Sequence, residues 1–224
     1  MEPNTVIGLV LWGTLVGLDL ASIGQVMINR PLVAGTVAGA ILGDAQAGLM
    51  VGVILELFAL EVLPFGAARY PDYGLGAVAA AAVVVGAPGL FGLGLGVVVG
   101  LVVAYAGEMG VQLVRRRTSA DVRRHQVALD AGDLSTIYRV HFRGIGRDAL
   151  RAAVLTALGL GLAGIARLAH PTTVRTAVTL SAVATGVGLG TALLGGGRLA
   201  RGSRASWTWL ATGILAGTIW VVVR

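Results

Sequence analysis

Residues 31–64 read PLVAGTVAGAILGDAQAGLMVGVILELFALEVLP, and this stretch decides the fold. Pro31 and Pro64 bracket an apolar run that Gly43 and Asp44 interrupt near its middle. Because a helix that crosses a bilayer needs about 20 mainly apolar residues, the first piece is too short to cross and the second is marginal. The pattern therefore predicts a re-entrant hairpin or a broken helix. Such backbone survives at membrane depth only where protein or a water-filled cavity satisfies it, which is typical of the binding sites of transporters.

The rest of the chain has the composition of an integral membrane protein. Of its 224 residues, 56% are hydrophobic and 12% are charged, whereas ordinary soluble domains carry about 25% charged residues. Stretches without a charged residue recur at 3–18, 73–107, 152–166, 176–197 and 205–223. They predict an all-α polytopic membrane protein with about six membrane segments, including broken or re-entrant helices in the N-terminal half. The N-terminus lacks the pattern of a signal peptide, so residues 6–18 are expected to remain as a membrane segment.

Charge divides the chain into three regions. Residues 1–114 carry seven acids and two arginines, and they form an acidic N-terminal membrane region that holds the hairpin and the candidate binding site. Residues 115–151 carry nine arginines and four acids, which by the positive-inside rule predicts a basic cytoplasmic loop. Residues 152–224 are expected to form C-terminal membrane helices at 152–168, 174–196 and 205–223. Short helices are expected within the basic loop, over 119–131 and from residue 135, and this loop is either a solvated cap or a docking surface for a cytosolic partner.

The sequence excludes several classes of function. It contains no cysteine, so disulfide scaffolds, zinc ribbons and thiol catalysis are not expected. His125, His141 and His170 lack the spacing of metal ligands and an evident nucleophile, so the chain is not expected to be an enzyme by itself or to hold a metal or cofactor. The net charge of +6 would indicate nucleic-acid binding only on the basic face of a soluble fold.

Carboxylates in the acidic region are the candidates for a binding site. A carboxylate near the bilayer centre costs about 2.5 to 3.5 kcal/mol on insertion scales, so it needs a partner or a polar cavity. Glu56 lies in an apolar run with no cation within ten residues, and it either contacts substrate or is paired internally. Asp72 follows Pro71 in a segment that is not expected to be regular helix. Asp44 lies at the tip of the hairpin and could cap the next helix, while Asp19 is expected near the membrane interface.

These groups suit a neutral polyhydroxylated solute. Carboxylates and amides exchange hydrogen bonds with several hydroxyls at once, and aromatic faces cover the apolar side of a sugar ring. The same half of the chain supplies both kinds of group, namely Gln25, Asn29, Glu56 and Asp72 together with Trp12, Phe58, Phe65, Tyr70 and Tyr73. The sequence thus favours transport of a sugar or a similar solute.

Five motifs in this half also resemble a known family. They occur in the order Arg30-Pro-Leu-Val-Ala-Gly35, Leu42-Gly-Asp44, Gly48-Leu-Met-Val-Gly52, Leu55-Glu-Leu-Phe-Ala-Leu60 and Gly66-Ala-Ala-Arg-Tyr-Pro-Asp72. This order resembles the IIC subunit of sugar phosphotransferase systems of the mannose, fructose and sorbose type. The resemblance is dense from residue 25 to residue 76, thinner around 132–141, and rests mainly on hydropathy near the C-terminus.

The resemblance implies a permease subunit in the bacterial cytoplasmic (inner) membrane. It would work with a IID membrane subunit and the cytosolic phosphocarriers IIA and IIB, as a homo-oligomer within the lipid bilayer, and sugar would arrive inside as a sugar phosphate. By motif position, Glu56 and Asp72 would lie at the sugar site with Gln25 nearby, and Asp44 and Arg69 are secondary candidates. Two alternatives remain, a non-phosphorylating carrier or channel for a small polar solute, and a degenerate homologue with a regulatory or scaffold role.

Overall fold

Helices account for most of the described chain. The structure is a computed structural model that describes residues 1–60, 69–87, 89–168, 173–198 and 215. Within these ranges it contains no strand and eight helices: α1 Pro3–Asp19, α2 Pro31–Ile41, α3 Ala45–Ala59, α4 Tyr73–Gly86, α5 Leu90–Arg124, α6 Gln126–Asp130, α7 Leu134–Ala166 and α8 Val174–Arg198. Three of them, α5, α7 and α8, are long and apolar enough to cross a membrane, while α2, α3 and α4 are shorter apolar helices. The all-α membrane fold is therefore confirmed.

Helices α2 and α3 form the hairpin that the opening stretch predicts. They are about 16 and 22 Å long at 1.5 Å per residue, whereas the hydrocarbon core is about 30 Å thick. Gly43 makes the turn with a φ of 92°, and the Asp44 side chain accepts a hydrogen bond from the Ala47 N–H at 2.9 Å, so the expected cap on α3 is confirmed. The two backbones touch at glycines: a Cβ on Gly39 would lie 2.8 Å from the Cα of Gly48. Any side chain at this crossing would push the helices apart.

Helix α4 lies at the centre of the described fold. Twelve of its 14 residues are buried, and it packs against α2, α3, α5 and α7. Its composition of glycine, alanine and valine permits this, because small residues allow helices to approach closely without a hydrophobic drive from lipid. For example, a Cβ on Gly76 would lie 3.2 Å from the Cβ of Ala104 on α5. Helix α4 is thus a short helix enclosed by protein, in agreement with the broken helices expected in the N-terminal half.

The basic stretch is helical rather than a loop with separate short helices. Helix α5 runs from Leu90 through Arg115 to Arg124 without a break, and no proline or glycine follows Gly110 within it. The expectation of one helix over 119–131 is therefore wrong: His125 separates α5 from α6. Gly132, with a φ of 73°, follows α6, and α7 begins at Leu134, which confirms the second expected helix.

Helices α5 and α7 each extend well beyond a bilayer. They have 35 and 33 residues, so they are about 50 Å long. They pack against each other, and Arg147 of α7 pairs with the buried Asp121 of α5 at 2.7 Å. Hydrogen bonds from the hydroxyl groups of Thr136 and Ser135 hold the pKa of the Asp133 carboxyl below its usual value at the start of α7. The basic residues thus belong to a helical extension of the membrane helices.

The C-terminal helices agree with expectation as far as they are described. The expected helix over 152–168 is the C-terminal part of α7, and the one over 174–196 is α8. The last expected helix, over 205–223, lies outside the described residues apart from Leu215. Helix α1 packs on α7, where a Cβ on Gly17 would collide with Ala152, and it leaves Ile7 and Leu11 exposed on its outer face.

Candidate functional site

A large cavity with both apolar and charged lining residues lies where α1 ends and the basic halves of α5 and α7 face each other. Its volume is about 1400 Å³. Leu20, the residue after α1, lines the cavity together with Gln25 and Tyr70. Helix α5 contributes residues from Val111 to Arg123, and α7 contributes residues from Ile137 to Arg151. The cavity is thus bounded by the connection that follows α1 and by the two basic helices.

A buried ion network adjoins the cavity. The Arg151 Nε donates to Asp148 at 2.7 Å and one terminal nitrogen donates to Asp72 at 2.9 Å. The other terminal nitrogen donates to the Gly17 carbonyl at 3.2 Å. Asp72, Asp148 and Arg151 are 0%, 4% and 8% exposed, respectively, and Ser22 donates to Asp148. One guanidinium therefore joins α1, the start of α4 and α7.

Asp72 caps the N-terminus of α4 in addition to its ion pair with Arg151. As the N-cap of α4, its side chain accepts from the Leu75 N–H at 3.3 Å. It also accepts from the Asn29 side-chain amide at 3.1 Å, and its own N–H donates to the Ala104 carbonyl at 2.9 Å. Both carboxylate oxygens are thus occupied by protein donors in this conformation.

The connection between α1 and α2 is organised by Asp19. This carboxylate accepts from the Val26 N–H at 2.7 Å and from the Asn29 N–H at 3.1 Å. It is buried, 5% exposed, because the connection folds over it and supplies the hydrogen bonds that allow its burial. Its expected place near the membrane interface stays a prediction. The same connection holds Gln25 and Met27 at φ values of 52° and 69°. Non-glycine residues in this left-handed region store about 1 to 3 kcal/mol of strain, and such residues cluster at binding sites.

Glu56 belongs to a second charged pair. It forms an ion pair with Arg30, and it accepts a hydrogen bond from the Leu32 N–H at 3.2 Å, in the first turn of α2. The Glu56 side chain is 16% exposed and that of Arg30 is 40% exposed, so this pair is more accessible than the Arg151 network. Glu56 is internally paired, and its cation lies 26 positions away in sequence, beyond the window in which a local pattern shows it.

The sequence candidates thus meet around residues 25–30. Gln25 lines the cavity, Asn29 binds Asp72, and Arg30 binds Glu56. Because Asn29 and Arg30 are consecutive, they connect the two carboxylates through adjacent residues at the N-terminus of α2. The structure places the secondary candidates differently: Asp44 is exposed at the tip of the hairpin and Arg69 is exposed beyond the network.

The aromatic candidates do not surround one site among the described residues. Tyr70 lines the cavity, whereas Tyr73 and Phe58 belong to the buried core and the Trp12 indole donates to the Ala34 carbonyl at 3.0 Å. Phe65 lies outside the described residues. Within those residues no cluster of histidine, cysteine and acidic side chains could hold a metal ion.

Sequence reasoning did not identify two members of the network, Arg151 and Asp148. A local signal for their mutual pair exists, since they are three residues apart on one helix. No local signal exists for the bond from Arg151 to Asp72, whose partners are 79 positions apart. The site therefore offers hydrogen-bond donors and acceptors, some of which are charged groups held in place by ion pairs.

Comparison with known proteins identifies relatives of this arrangement. The family model described as "PTS system sorbose-specific iic component" matches residues 4–194. The mannose-specific EIIC component of Escherichia coli (strain K12) is 32% identical over 149 residues, which cover 63% of this chain and 55% of the relative. The sorbose-specific EIIC component of Klebsiella pneumoniae is 34% identical over 158 residues, which cover 69% and 58%. The chain therefore spans somewhat more than half the length of these curated relatives.

Solved structures share the fold over the whole chain. One, titled "Structure of membrane protein", has a TM-score of 0.76 at 21% identity, and the alignment covers 96% of its chain. Another, titled "CryoEM Structure of Mannose Transporter ManYZ and Microcin E492 (MceA) complex", has a TM-score of 0.64 at 23% identity and is covered to 95%. Both alignments cover 100% of this chain. With its apolar helices, its fold and the family match, the chain is a multi-pass bacterial inner-membrane protein that belongs to the family of sorbose-specific IIC components of the sugar phosphotransferase system.

Proposed function

We propose that the chain is the sugar-translocating IIC subunit of a mannose-type phosphotransferase system. The observation that carries this proposal is the convergence at residues 25–30, where Gln25 lines the cavity, Asn29 binds Asp72 and Arg30 binds Glu56. In a chain of this family, such a set of amide and carboxylate groups suits the hydroxyls of a sugar. The cavity of about 1400 Å³ exceeds the usual 300 to 1,000 Å³ of ligand pockets, so it has room for a sugar and its water.

The proposed sugar contacts are Gln25, Glu56 and Asp72, with Asp44 and Arg69 as secondary candidates. Glu56 is the strongest of them in this conformation, because its partner Arg30 is accessible and sugar hydroxyls could replace part of its hydrogen bonding. Asp72 is fully buried under Arg151, so contact with sugar requires that this network opens. We take the present arrangement as a closed state of the pathway.

The chain is proposed to act with partners and to have no catalytic role of its own. Sugar phosphorylation would be carried out by a cytosolic IIB subunit supplied by IIA, and a IID subunit would complete the pathway in the membrane. Exposed apolar side chains on α5, such as Val102, Met109 and Leu113, provide surface for lipid, for IID or for a second copy of the chain. The relative titled as a mannose transporter complex supports the pairing with a second membrane subunit.

Reconstitution tests this function. The purified chain alone in liposomes is expected to show no uptake of mannose, fructose or sorbose, whereas liposomes that also contain its IID subunit, IIA and IIB should accumulate the sugar as a phosphate ester. Uptake of free sugar by the chain alone would favour the independent carrier. Absence of transport in both preparations, with all subunits folded, would favour the alternative of a degenerate homologue with a regulatory or scaffold role.

The basic extension of α5 and α7 is proposed to face the cytoplasm, which makes the cavity open toward the phosphocarriers. Ala131 and Thr173 are both exposed; Ala131 precedes the N-terminus of α7, and Thr173 follows its C-terminus in sequence and directly precedes α8. Because the chain has no cysteine, single cysteines at these two positions can be labelled selectively with an impermeant thiol reagent. In intact cells Thr173→Cys should be labelled and Ala131→Cys should be labelled only after the membrane is opened. Labelling of Ala131→Cys in intact cells would reverse the orientation.

A further inference from the structure

The charge of the cavity wall does not match a neutral ligand. The charged residues that line it are Arg115, Arg116, Arg123, Arg151 and Asp148, and His141 lines it as well. The carboxylate of Asp148 is already engaged by the Arg151 guanidinium at 2.7 Å and by Ser22. Among the described lining residues, the carboxylate that faces the arginines of α5 is therefore already paired with another lining arginine, Arg151.

These arginines form one wall by helix geometry. Arg116 and Arg123 are seven residues apart, which is close to two turns and about 10.5 Å along α5. Ser119 lies on the same face between them, and all three line the cavity. His141 of α7 lines it from the opposite side, where the helices are close enough that a Cβ on Gly144 would lie 3.8 Å from Thr118. We call Arg116, Ser119 and Arg123 the arginine wall.

We propose that the arginine wall binds the phosphate group of a sugar phosphate ester in the cavity. Guanidinium groups offer paired N–H donors that match phosphate oxygens, and a serine hydroxyl adds a third donor. A neutral sugar gains little from such a wall, whereas the phosphate ester is dianionic. The identity of the sugar part rests on the proposed function, whereas the phosphate part rests on the arginine and serine side chains that line the cavity.

The competing explanation is that these arginines only set the orientation of the chain in the membrane. That explanation predicts the same role for every arginine of the extension, because the positive-inside rule depends on the number of positive charges and not on the helix face that carries them. Arg117 and Arg124 each follow a wall arginine directly and are exposed, as Arg116 and Arg123 are, but they do not line the cavity. They carry the same charge on the same helix and therefore provide a matched control.

Calorimetric titration of the full chain in nanodiscs of phosphatidylcholine separates these explanations. The probes are inorganic phosphate, mannose 6-phosphate and mannose, at low ionic strength so that screening is small. Mannose 6-phosphate should bind at least about tenfold more tightly than mannose, and Arg116→Gln/Arg123→Gln should weaken binding of both phosphate probes by about tenfold or more. Arg117→Gln/Arg124→Gln should change it less than about threefold, and Arg116→Lys/Arg123→Lys should retain part of it.

Equal effects of the two glutamine variants, or equal affinity for mannose and its phosphate, would overturn the proposal. Nanodiscs that contain phosphatidylglycerol test a lipid source of the phosphate: loss of mannose 6-phosphate binding in them would assign the wall to a lipid headgroup and overturn the soluble ester. Unchanged binding supports the ester. If the chain binds inorganic phosphate through the wall but fails in sugar transport, the proposed function fails and the anion site stands; the converse result removes the site alone.

Discussion

Replacement of Arg151 by methionine is expected to destabilise the protein by about 3 to 5 kcal/mol, because removal of one partner leaves buried charges without compensation. Arg151 is the common partner of Asp72 and Asp148, at 2.9 and 2.7 Å, and all three are nearly inaccessible. Asn29, Ser22 and the N–H of Leu75 would still bind the two carboxylates, but none of them carries charge. Thermal unfolding in detergent should show a midpoint lower by about 10 °C.

A second variant tests whether the loss of stability in Arg151→Met is caused by the loss of charge. The triple variant Arg151→Met/Asp72→Asn/Asp148→Asn removes every charge of the network and should recover most of the lost stability, since neutral amides are far less costly to bury than carboxylates. Arg139→Met on the exposed face of α7 changes the same residue type and should have little effect. A triple variant as unstable as Arg151→Met would show that packing of the arginine side chain, not its charge, holds this junction.

The membrane hairpin was accessible to sequence analysis because its signals are local. Gly43 and Asp44 interrupt the apolar run, and a turn there follows from the conformational freedom of glycine and from the capping capacity of aspartate. The crossing of Gly39 with Gly48 follows the same logic, since small residues at helical spacing indicate close packing. Each of these features depends on residues within about a dozen positions of one another.

The charged partners could not be predicted from the sequence, because their burial depends on segments that are distant along the chain. Arg151 lies at the edge of the basic stretch, where a sequence interpretation assigns it to topology, yet the packing of α7 against α1 and α5 carries it under Asp72. Asp19 looks interfacial by its position at the end of an apolar run, and the connection to α2 then buries it. The helical extension was underestimated for a related reason: arginine is a good helix former, so a basic stretch does not by itself end a helix.

Substitution of Glu56 and Asp72, the two carboxylates that residues 25–30 contact, tests the proposed sugar site. If Glu56 and Asp72 accept hydrogen bonds from sugar hydroxyls, Glu56→Gln and Asp72→Asn preserve shape and remove charge-assisted acceptance, which contributes about 1.5 to 3 kcal/mol per bond. Sugar affinity should then fall by roughly 10- to 100-fold. Titration of each purified variant with mannose, fructose and sorbose measures this, and Asp130→Asn on the exposed α6 is a control with the same chemical change.

Thermal stability of the same variants distinguishes a sugar contact from a purely structural carboxylate. For Glu56→Gln, the partner Arg30 is 40% exposed and can turn to water, so a loss of affinity should come with little loss of stability. For Asp72→Asn the amide can still accept from Asn29 and Leu75, but the pairing with Arg151 is weakened, so affinity and stability should both fall. Unchanged affinity together with lower stability in both variants would mean that the carboxylates only hold α2 and α4 in place. Sugar would then have to be bound by the groups that line the cavity beside Gln25, and the site assignment would be wrong.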